Sequence, residues 1–196
     1  MTRDAERSPG PARARYGSAD GIWVAPKAPQ TLYVLADFSY GNRGRTAAGL
    51  FRSTDGGATW KQCDGGLHKR GVGTLAIDPT NPDHLIVTSG QGVFSTFDAG
   101  VTWKETDHRL PRSVYTSSLV TSLAFDELTP TTIYAAGGFG VYRTTDDGNS
   151  WHPLNGLPNH GSGFYANPRP LAASPIQSGK VFAGTFNNGI YTYTAP

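Results

Sequence analysis

One eight-residue pattern, written three times, constrains this chain more than any other feature. Ser53-Thr54-Asp55-Gly56-Gly57-Ala58-Thr59-Trp60 is the first copy, and Thr96-Phe97-Asp98-Ala99-Gly100-Val101-Thr102-Trp103 the second. Thr144-Thr145-Asp146-Asp147-Gly148-Asn149-Ser150-Trp151 is the third. Each reads S/T-x-D-x-G-x-T/S-W. The three Trp residues stand 43 and 48 positions apart, and the chain has only 4 Trp in all. A unit of about 45 residues is too small to bury a core alone, so it must stack on copies of itself.

The octet has a local physical explanation. An Asp side chain accepts hydrogen bonds from backbone N–H groups one or two residues on, closing an Asx-type turn. Gly57, Gly100 and Gly148 supply the positive φ that other residues resist. The leading Ser or Thr hydroxyl satisfies a further turn group. The Trp opens the next strand and buries its ring between neighbouring repeats, while its N–H still needs an acceptor. Asp146-Asp147-Gly148-Asn149 has a superficial likeness to a calcium loop, but the distal bidentate Glu of such a loop is missing. The octets are therefore read as structural turns, with no metal and no cofactor expected.

Short β-rich runs lie in phase with the octets. Gly49–Arg52, Gly92–Ser95, Gly140–Arg143 and Gly189–Thr192 form one set. Thr31–Leu35, His84–Thr88, Thr132–Ala136 and Lys180–Gly184 precede them, and Gly21–Ala25, Thr74–Asp78, Ser122–Asp126 and Pro170–Ser174 come earlier still. Pro-containing turns such as Asp78-Pro79-Thr80-Asn81-Pro82 follow several of the earliest runs. Four antiparallel strands per repeat is the arithmetic of a propeller blade. The expected fold is all-β, a β-propeller of about four four-stranded antiparallel blades, either incomplete or completed by association. Residues 1–18 read as a flexible tail, and blades are expected at about 20–66, 67–113, 114–164 and 165–196. The last unit stops before its Trp strand, which residues near Ala14–Ser18 are placed to supply.

Composition agrees with short strands and tight turns, with 25 Gly and 14 Pro in 196 residues. The net charge of +2 gives no reason to expect nucleic-acid binding. The single cysteine, Cys63, rules out a disulfide framework within the chain. No apolar run approaches the ~18 residues of a membrane span. The first twenty residues carry charges where a signal peptide needs its apolar stretch. The five histidines show no metal-ligand spacing and are expected at solvated loop or strand-end positions.

The three octets resemble the Asp-box, or BNR, repeat of sialidases, the sortilin ectodomain, xyloglucan-hydrolysing glycosidases and photosystem II assembly factors. Members of that family are often exported, which leaves the localisation of this chain open. The resemblance implies that octets and Pro turns share one end of the blades, with ligands bound at the opposite, loop-rich end. On that layout the loop end carries Arg43, Arg45, Arg70, Arg109, Arg112, Tyr115, Tyr165 and Arg169, which become the candidate ligand-binding residues. The octet end collects Asp55, Asp78, Asp83, Asp98, Asp126, Glu127, Asp146 and Asp147 against Lys27 and Lys180. A basic, aromatic face suits a carbohydrate or protein ligand.

The resemblance alone does not decide activity. A sialidase-like site needs an arginine trio and a Tyr nucleophile, and its usual Arg-Ile-Pro motif does not appear, the chain having Arg109-Leu110-Pro111 instead. A conventional glycosidase needs two carboxylates about 5–10 Å apart, and the loop end offers only Asp37, Asp64, Glu105 and Asp107. No P-loop, dinucleotide fingerprint, HExxH motif or nucleophile elbow appears. The reading is a non-catalytic Asp-box module binding a carbohydrate or protein on its basic end, with no catalytic residue assigned. The alternatives are a sialidase-like or xyloglucanase-like hydrolase, or a fragment of one, and an assembly scaffold. Self-association to complete the ring is a further expectation.

Overall fold

Runs of β-branched and aromatic residues broken by Gly and Asp turns give, among the described residues, fifteen short antiparallel strands. The structure is a computed structural model and describes residues 18–37, 49–65, 67, 72–89, 92–111, 120–155, 168–185 and 189–195. The first sheet holds β1 (Ser18–Ala25), β2 (Ala28–Asp37), β3 (Gly49–Ser53) and β4 (Lys61–Gln62). The second holds β5 (Val72–Ile77), β6 (Leu85–Ser89), β7 (Gly92–Thr96) and β8 (Lys104–Glu105). The third holds β9 (Val120–Phe125), β10 (Ile133–Gly137), β11 (Gly140–Thr144) and β12 (His152–Pro153). The fourth has three strands, β13 (Pro168–Ala173), β14 (Lys180–Thr185) and β15 (Gly189–Thr194). In each sheet the strands neighbour one another in chain order, as in a propeller blade. The described residues form an incomplete β-propeller and contain no α-helix.

Ser18 pairs with Asp37 at the start of β1. It therefore serves the innermost strand of the first sheet and adds no outer strand to the fourth. Residues 14–17 lie outside the described residues.

Successive sheets stack face to face through three apolar clusters. Tyr33, Leu35 and Leu50 of the first sheet meet Leu75, Leu85, Val87 and Phe94 of the second. Ala76, Ile86 and Val93 of the second meet Leu123, Phe125, Ile133 and Ala135 of the third. Tyr134, Ala136 and Val141 of the third meet Leu171, Val181 and Ala183 of the fourth. The pleat sends alternate residues to opposite faces, so each inner sheet feeds two clusters at once. Phe139 belongs to the middle cluster, edge-on to Tyr142, and is a packing residue.

All three octets form the same turn, and one detail differs from expectation. Asp55, Asp98 and Asp146 accept from the backbone N–H four residues on, not one or two, at 2.9 Å in each case. The same carboxylates accept the Thr59, Thr102 and Ser150 hydroxyls. The Ser53, Thr96 and Thr144 hydroxyls donate to the Asp and accept from the N–H of Gly57, Gly100 and Gly148. The longer reach arises because two consecutive residues take positive φ in each turn, with values of 70° and 94°, 58° and 87°, and 56° and 84°. The first of each pair is Gly56, Ala99 or Asp147. Its N–H donates to a carbonyl of the same blade at or just before the second strand, on Gln30, Asp83 or Thr131 respectively. The octet hairpin and the inner hairpin of each blade are thereby tied together at one end.

Candidate functional site

The antiparallel order puts the β1–β2 and β3–β4 turns at one end of the first blade. Chain continuity puts the β2–β3 hairpin and the exit from β4 at the other. The same holds in the second and third blades. The octet end is self-satisfied. Hydrogen bonds from Thr59 and Ser53 hold Asp55 at about 2, and those from Thr102 and Thr96 do the same for Asp98. At Asp146 burial pulls upward, but the bonds from Ser150 and Thr144 outweigh it and the carboxyl lies low.

A buried pair lies at this end too. His84, expected at a solvated strand end, is 2% exposed, with its Nδ1 2.8 Å from Asp78 Oδ2. Its ring stacks on Phe97 at 3.9 Å and stands edge-on to Phe125. Burial works against the Asp78 charge, and bonds from Thr80 and His84 overcome it to lower the Asp78 pKa. Among the described residues no cluster of three His, Cys, Asp or Glu could hold a metal ion.

At the loop end, two of the four carboxylates weighed against a glycosidase pair, Asp64 and Asp107, are part of the framework. Asp64 and Asp107 are 4% and 6% exposed. Each is the fourth residue after an octet Trp, and each lies against the Gly that opens the third strand of its own blade. A Cβ on Gly49 would fall 2.1 Å from Asp64 Oδ2, and one on Gly92 would fall 2.6 Å from Asp107 Oδ2. Gln62 Nε2 donates to Asp64 at 2.8 Å. The backbone then turns, with Leu67 N–H donating to Asp64 and Leu110 N–H to Asp107, so both leucines are buried. The pairing of a strand-opening Gly with an Asp four past the Trp is visible in the sequence as a repeated spacing. Cys63, beside Asp64, has its thiol pushed up to about 12 by burial and then by the Asp64 charge, which makes it a poor nucleophile.

Arg109 is the candidate ligand-binding residue whose side chain the structure places. It is exposed, with φ of 69°, on the turn closed by Leu110 N–H and Asp107 O at 2.9 Å. The carbonyl of the preceding His108 accepts from Trp151 N–H at 3.2 Å, so the turn is also fastened to the next blade. Arg169 lies in β13, on the innermost strand of the fourth sheet. Arg43, Arg45, Arg70, Arg112, Tyr115 and Tyr165 lie outside the described residues.

The indole N–H groups of the three octet Trp residues differ in their partners, and among the described residues only that of Trp151 reaches another blade. Trp151 is 1% exposed and donates through Nε1 to Thr106 O of the preceding sheet at 2.6 Å. Trp60 donates to Gly57 O within its own hairpin at 3.0 Å. Trp103 Nε1 is buried and has no hydrogen-bond partner among the described residues.

A family profile described as sortilin, neurotensin receptor 3, matches residues 48–156, the stretch that contains all three octets. The chain belongs to the sortilin–Vps10 family. No curated protein sequence matches it. Solved structures extend the likeness at the level of fold. The sortilin–Vps10 chain is similar to a GH74 enzyme from Niastella koreensis, with 21% identity and a TM-score of 0.68, over 90% of this chain and 28% of that one. It is similar to the GH74 xyloglucanase of Xanthomonas campestris, with 19% identity and a TM-score of 0.64, over 90% of this chain and 29% of that one. YCF48 from Cyanidioschyzon merolae matches at 13% identity and a TM-score of 0.51, over 89% of this chain and 55% of that one. The chain spans less than a third of the two GH74 enzymes, so it corresponds to a portion of such a propeller.

Proposed function

We propose that this chain is a non-catalytic Asp-box propeller module that binds a carbohydrate or protein ligand at its loop end. The observation that carries this reading is the burial of Asp64 and Asp107 against Gly49 and Gly92. Glycoside hydrolysis needs two carboxylates facing the sugar across a cleft. These two instead brace their own strand starts in successive blades, and so are unsuited to proton transfer with a bound substrate. Arg109, exposed on a turn whose backbone is fastened at two points, offers a charge-assisted donor for a carboxylate or a polar sugar group. Arg112 and the other candidate arginines and tyrosines belong to the same proposed surface.

The alternatives are a xyloglucanase-like or sialidase-like hydrolase and a protein-docking scaffold. One experiment separates binding from hydrolysis. The chain is incubated with immobilised xyloglucan and with a sialylated glycan, and both retention and released sugar are measured. Retention without release is expected if the ligand is one of these glycans. Release that scales with protein concentration would overturn the non-catalytic reading. Retention on peptide arrays alone would select the protein-docking form.

A further inference from the structure

The three junctions between sheets repeat one arrangement, and the two outer sheets each carry half of it uncovered. On the side of a sheet that meets its predecessor, equivalent positions are Leu75, Leu85 and Val87 in the second sheet. They are Leu123, Ile133 and Ala135 in the third and Leu171, Val181 and Ala183 in the fourth. All nine are buried, none more than 8% exposed. The same positions in the first sheet are Ile22, Leu32 and Val34. They are equally apolar, yet Ile22 is 63% exposed and Leu32 and Val34 are partly exposed.

The opposite side shows the complementary pattern. Leu50, Val93 and Val141 follow the Gly that opens the third strand of the first three sheets, and all are at most 2% exposed. Ile190 holds that position in the fourth sheet and is 79% exposed. Tyr33, Ile86 and Tyr134 are fully buried beside them, whereas Phe182 is only partly buried, with Lys180 Nζ 5.5 Å from its ring centroid. Solvent-facing strand positions are ordinarily polar. Ile22, Leu32, Val34, Phe182 and Ile190 keep the apolar identities of a covered junction.

We propose that a second copy of this chain covers these faces head to tail, the Phe182–Ile190 face of one copy stacking on the Ile22–Leu32–Val34 face of the next. The occupant follows from continuity with the three existing junctions. Each face is one half of an interface the chain already builds three times, and the other half exists on the same chain. A contact between unlike faces is heterologous, so it either closes into a ring or extends. Two chains closing on each other would give eight sheets and two new junctions.

The polarity of the contact makes it testable with two charge substitutions at exposed positions, where folding tolerates them. Ile22→Glu spoils one face and leaves Ile190 intact, and Ile190→Glu does the reverse. Light scattering during size-exclusion chromatography is the readout, with circular dichroism to check the fold. The wild-type chain is expected to form a dimer or larger closed species, and each variant alone to run as a monomer. An equimolar mixture of the two is expected to recover a one-to-one dimer, because one intact junction remains. A monomeric wild type, a variant that dimerises alone, or a mixture that stays monomeric would each overturn the proposal.

Discussion

Gly100 lies so close to Cys63 that a Cβ added to it would fall 1.9 Å from the Cys63 carbonyl oxygen. The second octet is thereby pressed onto the end of the first blade, and two requirements meet at one residue. The φ of 87° favours Gly, and the space excludes any side chain against backbone that cannot yield.

Gly100→Ala is therefore expected to cost about 3 kcal/mol, combining left-handed strain with overpacking. Gly189 is the control, because its φ is 80° but nothing lies within 4 Å of an added Cβ. Gly189→Ala is expected to cost only about 1 kcal/mol. Urea denaturation of the two variants measures the difference. Equal costs would show that space at the blade junction is immaterial.

Acid should weaken the octets in a defined window. Asp55 and Asp98 are held at about 2 in the folded chain, against about 4 in an unfolded one. A depressed carboxyl contributes stability in full above the unfolded value and loses it as pH falls through the folded one. Stability should therefore decline between about pH 4 and pH 2. In Asp98→Ala, which removes one of the three lowered octet carboxyls, the decline should be shallower. Chemical denaturation across that pH series is the measurement.

The two Trp residues at the inner junctions should respond unequally to loss of the indole N–H. Trp151 donates to Thr106 O, whereas Trp103 has no acceptor among the described residues. Trp151→Phe should cost about 1 kcal/mol more than Trp103→Phe, the worth of one buried hydrogen bond. Thermal unfolding of the pair tests this.

Arg109 should trade stability for binding. An Arg at φ of 69° is in the left-handed region without the freedom of Gly. Arg109→Gly is expected to raise stability by about 0.5 kcal/mol while weakening ligand retention. A loss of stability would mean that the side chain supports the turn.

Much of this fold was legible because it is periodic. The octets, the Gly that opens each third strand and the turn after each first strand recur in phase, and each recurrence supports the others. What escaped reading depends on contacts that close only in three dimensions. His84 looked like a strand-end residue because nothing in its own run announces Asp78, which reaches it only when the Pro turn folds back. Asp64 and Asp107 looked available for chemistry because a carboxylate in a loop does not reveal which Gly it rests on. The four-residue reach of the octet Asp depends on two successive left-handed residues, and Ala99 is a residue type that gives no hint of that conformation. The loop end was the least legible, since it carries no repeat of its own beyond the Trp-to-Asp spacing.

The central claim is that ligand binding belongs to the loop end and not to the octet end. Glycan and peptide arrays probed with the wild-type chain, Arg109→Ala/Arg112→Ala and Lys27→Ala/Glu127→Ala test it most directly. The account predicts that the arginine pair abolishes the wild-type signal and that the octet-end pair leaves it unchanged. A signal that survives loss of both arginines, or disappears with Lys27 and Glu127, would contradict it.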